Sequence, residues 1–287
     1  MKKGEQHLKS KIFLSVSAPL RFNLSLALIL FAMKSPAAMP YKSVAVKDGG
    51  TISGIVKLEG VALKPAQFDV PKDNDWCGKK KSLPRLVLGR NNGVKNTIIS
   101  LEGIQQGARF ESNAKAVLEQ KRCEYLPHVV LLPSGANLEI VNSDAVLHNV
   151  HAFDAQAKTM FNIAQPVKGL RFPVKSSQFK AGEIYETTCD AGHPWMSAYV
   201  VVAEHPYYAV TDAEGKFELK NVPPGTYKIK MWHEGVNTTR VEMENGKPKM
   251  YTFEKPYAEI REVTVSQNGS VTVEFSLRLR SDLLTQQ

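Results

Sequence analysis

Tyr185-Glu-Thr-Thr-Cys189-Asp-Ala-Gly-His193-Pro-Trp-Met196-Ser-Ala-Tyr-Val-Val-Val-Ala203 decides how this chain folds. Both ends of the stretch read as strands, because β-branched and aromatic residues dominate them. On the first strand, period-two alternation puts Tyr185, Thr187 and Cys189 on one face. If Tyr185 faces a core, so does Cys189. Between the strands a thiol, an imidazole and a thioether fall within eight residues. Such soft and borderline donors suit copper better than harder cations. A second imidazole is on offer upstream, in Asn142-Ser-Asp-Ala-Val-Leu-His148-Asn-Val. Two imidazoles, one thiolate and a weak axial thioether make a set that tolerates both copper oxidation states. The expected ligands of one copper ion are therefore His148, Cys189, His193 and Met196.

The neighbours of these residues suggest supporting roles. Pro194 stiffens the loop by fixing its φ angle. Trp195 is expected either to shield the metal or to form an apolar docking surface. The backbone N–H of Asn149 is placed to point at the thiolate, and the side chain of Asn149 or Asn142 to tie the two ligand segments together. His151 lies three residues after His148, so on an extended strand it faces the other side and is expected beside the site or at the surface. His128, His205 and His233 have no ligand partner at a recognised spacing, which favours structural or surface roles.

Outward from this loop, short apolar runs alternate with Gly, Pro, Asn and Asp, and no long helical period appears. Strands are expected at Gly50-Thr-Ile-Ser-Gly-Ile-Val-Lys-Leu and Asn96-Thr-Ile-Ile-Ser-Leu, and a hairpin over His128–Leu132 and Asn137–Val141. A short helix is expected within 104–122. Near residue 204 the pattern shifts to Thr211-Asp-Ala-Glu-Gly-Lys-Phe-Glu-Leu-Lys-Asn-Val-Pro-Pro-Gly-Thr-Tyr-Lys-Ile, turn and strand in alternation. Gln267-Asn-Gly-Ser270 between two alternating runs signals a hairpin. The fold class is all-β: one sandwich over 48–203 and a second, smaller one over 204–280.

The N-terminus reads as a signal peptide over 1–37, with a basic start, the apolar run Phe22–Met33 and cleavage expected near Ala37. An uncleaved anchor is the alternative, but Arg21 interrupts the apolar stretch. The first 37 residues carry six Lys/Arg and one Glu, so the +9 of the chain becomes about +4 without them (9 − 5). That mild charge, without basic-aromatic interleaving, gives no support for nucleic-acid binding. The mature protein is expected to be periplasmic or secreted and not membrane-spanning. Of three cysteines, Cys189 has metal-ligand neighbours, which leaves Cys77 and Cys123 to form a disulfide. Pairing of Cys189 with either, or an accessory metal site at Cys123 and His128, are the alternatives.

His148-Asn-Val-His-Ala-Phe and Cys189-Asp-Ala-Gly-His-Pro-Trp-Met resemble the two copper segments of the cupredoxins, most closely the amicyanin and plastocyanin-like branch. The resemblance covers about 124–203 and implies a Greek-key sandwich, one copper, and one-electron exchange through an exposed edge of His193. The Cys–His gap of three residues is one longer than in amicyanin. It also matches half of a binuclear copper loop, but that site needs a second Cys where this chain has Tyr185. The stretch from Thr211 to Ile229 resembles the carboxypeptidase-regulatory-like, or transthyretin-like, β-sandwich, which brings no catalytic residues. The combination is similar to exported methylamine-utilisation and plastocyanin-like proteins. By resemblance, the redox partner is a c-type cytochrome or a periplasmic dehydrogenase.

Other functions fit less well. A nucleophilic Cys189 with His193 as base lacks an orienting group and an oxyanion hole, and leaves Met196 without purpose. Zinc accepts Cys and His but rarely Met. A copper-delivering carrier, and a carbohydrate- or protein-binding adhesion module with a structural or vestigial metal site, are the remaining alternatives.

Overall fold

The computed structural model describes residues 41–60, 67–83, 85–110 and 116–279. The expected signal peptide, 1–37, lies outside the described residues. Leaving aside two- and three-residue strands in the first part of the described chain, β1 (Gly50–Glu59) and β2 (Ile98–Glu102) come first. A second group follows: β3 (Ala116–Gln120), β4 (Tyr125–Leu126), β5 (Val129–Pro133), β6 (Leu138–Asn142) and β7 (His148–Phe153). It continues with β8 (Thr159–Gln165), β9 (Arg171–Val174), β10 (Ile184–Thr188) and β11 (Ser197–Ala203). The third group is β12 (Tyr208–Val210), β13 (Lys216–Val222), β14 (Gly225–His233), β15 (Thr238–Glu244), β16 (Lys247–Phe253), β17 (Tyr257–Val265) and β18 (Ser270–Arg278).

The middle group makes its own sandwich. One sheet runs β9-β6-β3-β4 and the facing sheet β8-β7-β10-β11-β5. Their inward residues, among them Leu118, Leu132, Leu138, Ile140, Val150, Tyr185 and Val200, form one buried cluster. The other sandwich draws on both ends of the chain. Its sheets are β12-β2-β14-β17 and β13-β1-β18, around Ile52, Val56, Ile99, Leu101, Ile229 and Phe275. The metal-loop sandwich is thus inserted into the other, between β2 and β12. Those two strands pair antiparallel, Ser100 opposite Tyr208, so the ends of the insertion lie side by side.

This corrects the expected division at 203/204. The segment 48–203 does not fold as one sandwich followed by another, because β1 and β2 find their partners in 208–278 and not next to β3. All the described residues fall in a single compact unit.

Strand β11 shows why the sequence reads as it does. All seven of its residues are buried. Ala198, Val200 and Val202 face the inserted core, while Tyr199 and Val201 pack with Ile98 of β2 and Val129 of β5 between the sandwiches. A strand covered on both faces has no polar side, hence the unbroken Ala-Tyr-Val-Val-Val-Ala. Each buried Val or Tyr on the second face contributes on the order of 1.5–3 kcal/mol to holding the sandwiches together. Arg85 pins the same junction. Its guanidinium is almost fully buried, 2.8 Å from Glu234 and 2.6 Å from Glu186, and stacks 3.2 Å over the Phe253 ring. His128 bonds the other side of Glu234. Losing one partner of such a buried pair costs about 3–5 kcal/mol.

Three expected local elements differ. Val129–Pro133 and Leu138–Asn142 are strands but not a hairpin, since β5 joins β11 in one sheet and β6 joins β3 in the other. The turn at 266–269 likewise carries the chain from β17 in one sheet to β18 in the facing one. In both cases the two apolar faces meet across a core, and alternation alone does not distinguish a strand beside from a strand opposite. Residues 116–120, within the expected helix, are β3, buried at alternate positions.

A fragment of residues 204–280 lacks β1 and β2, and is expected to give no cooperative thermal transition by far-UV circular dichroism, whereas residues 41–279 unfold cooperatively. A cooperative transition in the short fragment would show that its sheets do not depend on β1 and β2.

Candidate metal centre

The centre is built at one end of the inserted sandwich. Cys189 follows β10 directly, and Tyr185, Thr187 and Cys189 are all buried, as the period-two reading expects. His148 opens β7, and His193 sits in the loop between β10 and β11. The Nδ1 atoms of His148 and His193 lie 3.1 Å apart, and Cys189 Sγ is 3.6 Å from His193 Nδ1. One donor atom from each of the three residues falls within 4.8 Å of the others, and all three residues are buried. Met196 ends the same loop, fully buried in the cluster that holds Cys189 and Trp195, with its backbone N–H donated to the His193 carbonyl (3.0 Å).

The far edge of each imidazole meets a carboxylate. His148 Nε2 is 2.9 Å from Asp144 Oδ2, and His193 Nε2 is 3.0 Å from Asp73 Oδ2. An ionised carboxylate only accepts, so each Nε2 carries the proton and each Nδ1 keeps its lone pair toward Cys189. Burial, together with the charge that His148 would carry, pushes His193 down to about 4. Burial also lowers His148, against the pull of Asp144. Burial works to raise Asp144, but N–H groups of Cys123, Trp76, His148 and Arg122 outweigh it and hold the carboxyl low. The Cys189 thiol is pushed up to about 11 by burial, although the N–H groups of Asn149 and Ala191 favour the thiolate. Such a thiol gives up its proton outright on coordinating a metal. The donor set therefore fits a copper ion, with two neutral imidazoles and one ionisable sulfur, and Met196 buried at the end of the same loop.

Local hydrogen bonds fix these positions. Asn149 Oδ1 accepts the N–H groups of Asp190 (2.6 Å) and Ala191 (3.1 Å), joining β7 to the loop. Asn142 instead shapes its own turn: Oδ1 accepts the Asp144 N–H, and Nδ2 donates to the Val146 and Gln165 carbonyls. Gly192 takes φ +94°, a left-handed conformation that suits glycine, beneath the Lys72 side chain. Tyr125 OH reaches the carbonyls of Asn149 and Thr188, bridging β7 and β10 beside the site. His151 stands to one side, between Asp190 (2.7 Å) and Thr159 (2.8 Å).

One expectation is overturned. His193 is fully buried and presents no edge to solvent. Residues 67–83 fold over it. Their short helix α1 (Asn74–Cys77) begins right after Asp73, Lys72 donates to the Ala191 carbonyl (3.0 Å), and Phe68 packs on Trp195. The Cys77–Cys123 disulfide ties this cover to the turn whose N–H groups hold Asp144. Trp195 accordingly shields the site and is no docking surface; its indole donates to the Cys123 carbonyl (2.7 Å). Asp73 and Tyr125 gave no sign in the sequence. Asp144, four residues before His148, was visible as a helper only once the turn at Asn142 was known.

A family comparison agrees with the expected regulatory-like resemblance of the C-terminal part. Residues 187–278 match the model of the carboxypeptidase regulatory-like domain. That span includes the metal loop and β11 of the inserted sandwich, while β1 and β2, which complete the outer one, precede it. No curated protein matches the chain. Solved structures similar to part of it include the purple cupredoxin of Nitrosopumilus maritimus, 24% identical over 32% of this chain and 100% of that one, with a TM-score of 0.26. Amicyanin from Paracoccus versutus is 22% identical over 31% of this chain and 82% of its own, at a TM-score of 0.26. The copper-containing nitrite reductase of Thermus scotoductus is 20% identical over 34% of this chain but only 25% of its own, at a TM-score of 0.25. Among the described residues, no helix is long and apolar enough to cross a membrane.

Because His193 binds protons more weakly folded (about 4) than unfolded (about 6.5), the unfolded metal-free chain gains the proton first as pH falls. His205, buried and also lowered to about 4 by burial, acts in the same direction. The melting temperature of the metal-free protein is expected to fall as pH drops from about 6.5 toward 4. A flat profile across that window in scanning calorimetry would contradict neutral, buried imidazoles.

Proposed function

We propose that this protein is an exported one-electron carrier holding one copper ion on His148, Cys189 and His193, with Met196 as the weak axial ligand. The observation that carries this reading is the convergence of two imidazole Nδ1 atoms and one thiol within 4.8 Å, all buried, with each outer Nε2 anchored on a carboxylate. Copper supplies the reversible one-electron couple. The chain supplies a site too rigid to rearrange between oxidation states, because the ligand strand, the loop and the cover are each fixed by hydrogen bonds. Cys189, beneath the cover and 3% exposed, is out of reach of a substrate, which weighs against nucleophilic catalysis. The Cys77–Cys123 disulfide and the signal-like N-terminus support an oxidising, periplasmic or secreted setting. The outer sandwich adds no chemistry of its own in this reading; it supports β11. A c-type cytochrome or a periplasmic dehydrogenase suits the role of redox partner.

Adding Cu(II) to the purified protein is expected to produce an intense visible thiolate-to-copper band that ascorbate bleaches and Cys189→Ala abolishes. Equal copper binding by Cys189→Ala, with no band in the parent protein, would rule out the proposed site.

A further inference from the structure

We propose that electrons enter and leave this centre through Trp76, on a surface that receives a redox protein with an acidic rim. The inference rests on the copper reading above. It starts from the closure of the other route, since His193 is fully buried and Asp73 occupies its outer edge. His148 is buried too, but a short polar chain leads outward from it. Its Nε2–H is donated to Asp144 (2.9 Å), whose Oδ2 also accepts the N–H of Cys123 (2.7 Å), and Cys123 is joined by the disulfide to Cys77, the residue after Trp76. Trp76 itself is 45% exposed, although the residue after it is locked in the disulfide. A large aromatic ring held in the open by a bonded neighbour, and connected to a proposed ligand through the disulfide and two hydrogen bonds, is an electronic path from surface to metal.

The ground around Trp76 says what kind of partner fits. Leu147, next to His148, is 40% exposed, and Val167 is 58% exposed. Lys168, adjacent to Val167, lies 5.9 Å from the Trp76 ring, which brings that loop to the same surface. Arg122, exposed, belongs to the turn that holds Asp144, and Lys72, exposed, lies on the cover. Of the acidic residues on the same segments, Asp73 pairs with His193 and Glu124 with Lys81, which leaves Asp75 against Lys72, Lys168 and Arg122. A small apolar centre with a cationic border selects a partner of opposite charge and speeds the encounter. The transfer is a bare one-electron step. With copper bound, the site would give up one electron and the acceptor would gain it, with no proton transferred.

Hexacyanoferrate(III), an anionic one-electron acceptor, is the probe for the rate. In the copper-loaded protein, Trp76→Leu is expected to slow oxidation by hexacyanoferrate(III) at least tenfold while the thiolate-to-copper band is retained. Lys168→Glu is expected to slow hexacyanoferrate(III) and to speed a cationic acceptor, tris(phenanthroline)cobalt(III). In the metal-free protein, redox-inert paramagnetic hexacyanochromate(III) is expected to broaden the Trp76 indole N–H resonance before others. A parent rate in Trp76→Leu with the band intact, or broadening centred away from Trp76, overturns the port and leaves the copper site standing. Absence of the thiolate band from the parent protein overturns both.

Discussion

Two imidazoles and a thiol buried within 4.8 Å of one another can coexist only if every outward-facing nitrogen is satisfied. The carboxylates of Asp73 and Asp144 meet that demand, and much of the surrounding structure exists to hold them. Asp144 is fixed by the N–H groups of Arg122 and Cys123, both at positive φ, and by the turn that Asn142 shapes. Asp73, also at positive φ, sits where the covering segment turns into α1. The disulfide joins the two supports, so the proton positions on both rings follow from one connected piece of backbone.

The second constraint is the double burial of β11. It belongs to the sheet that carries the metal loop and is also covered by the outer sandwich. Packing on one side fixes the strand that the loop returns to, and packing on the other fixes that strand against β2 and β5. The buried Arg85–Glu234 pair and its neighbours Tyr199, Glu186 and His128 hold the same seam with directional bonds, which apolar contact alone lacks.

Much of the ligand loop was legible in the sequence for a simple reason. Alternation over Tyr185, Thr187 and Cys189 is local, and the three soft groups follow within a few residues. Long-range partners were not legible. Nothing near Gly50 or Ile98 signals that their strands pair with Phe275 or Ile229, because a half-buried strand looks the same in any sheet. The same ambiguity turned two expected hairpins into crossings between sheets. Asp73 lies 120 residues before His193, in a stretch with no ligand pattern, so the covering of that imidazole emerged only from the fold. The cysteine partition was readable by elimination, yet its purpose, fastening the cover, was not.

The insertion has a consequence for the order in which the chain acquires its shape. Several partners within the inserted sandwich are close in sequence: β7 meets β8 and β10 meets β11 across short connections. In the outer sandwich β1 must wait for β18, since Lys57 pairs with Ser276 near the far end of the chain. Closing so long a loop carries a larger entropic cost and slows the step that makes it. The metal-loop sandwich is therefore the natural first nucleus. Its side-by-side ends then bring β2 and β12 into register and shorten the effective loop that β1 and β18 have to close. The inserted unit serves as the splint on which its host is assembled.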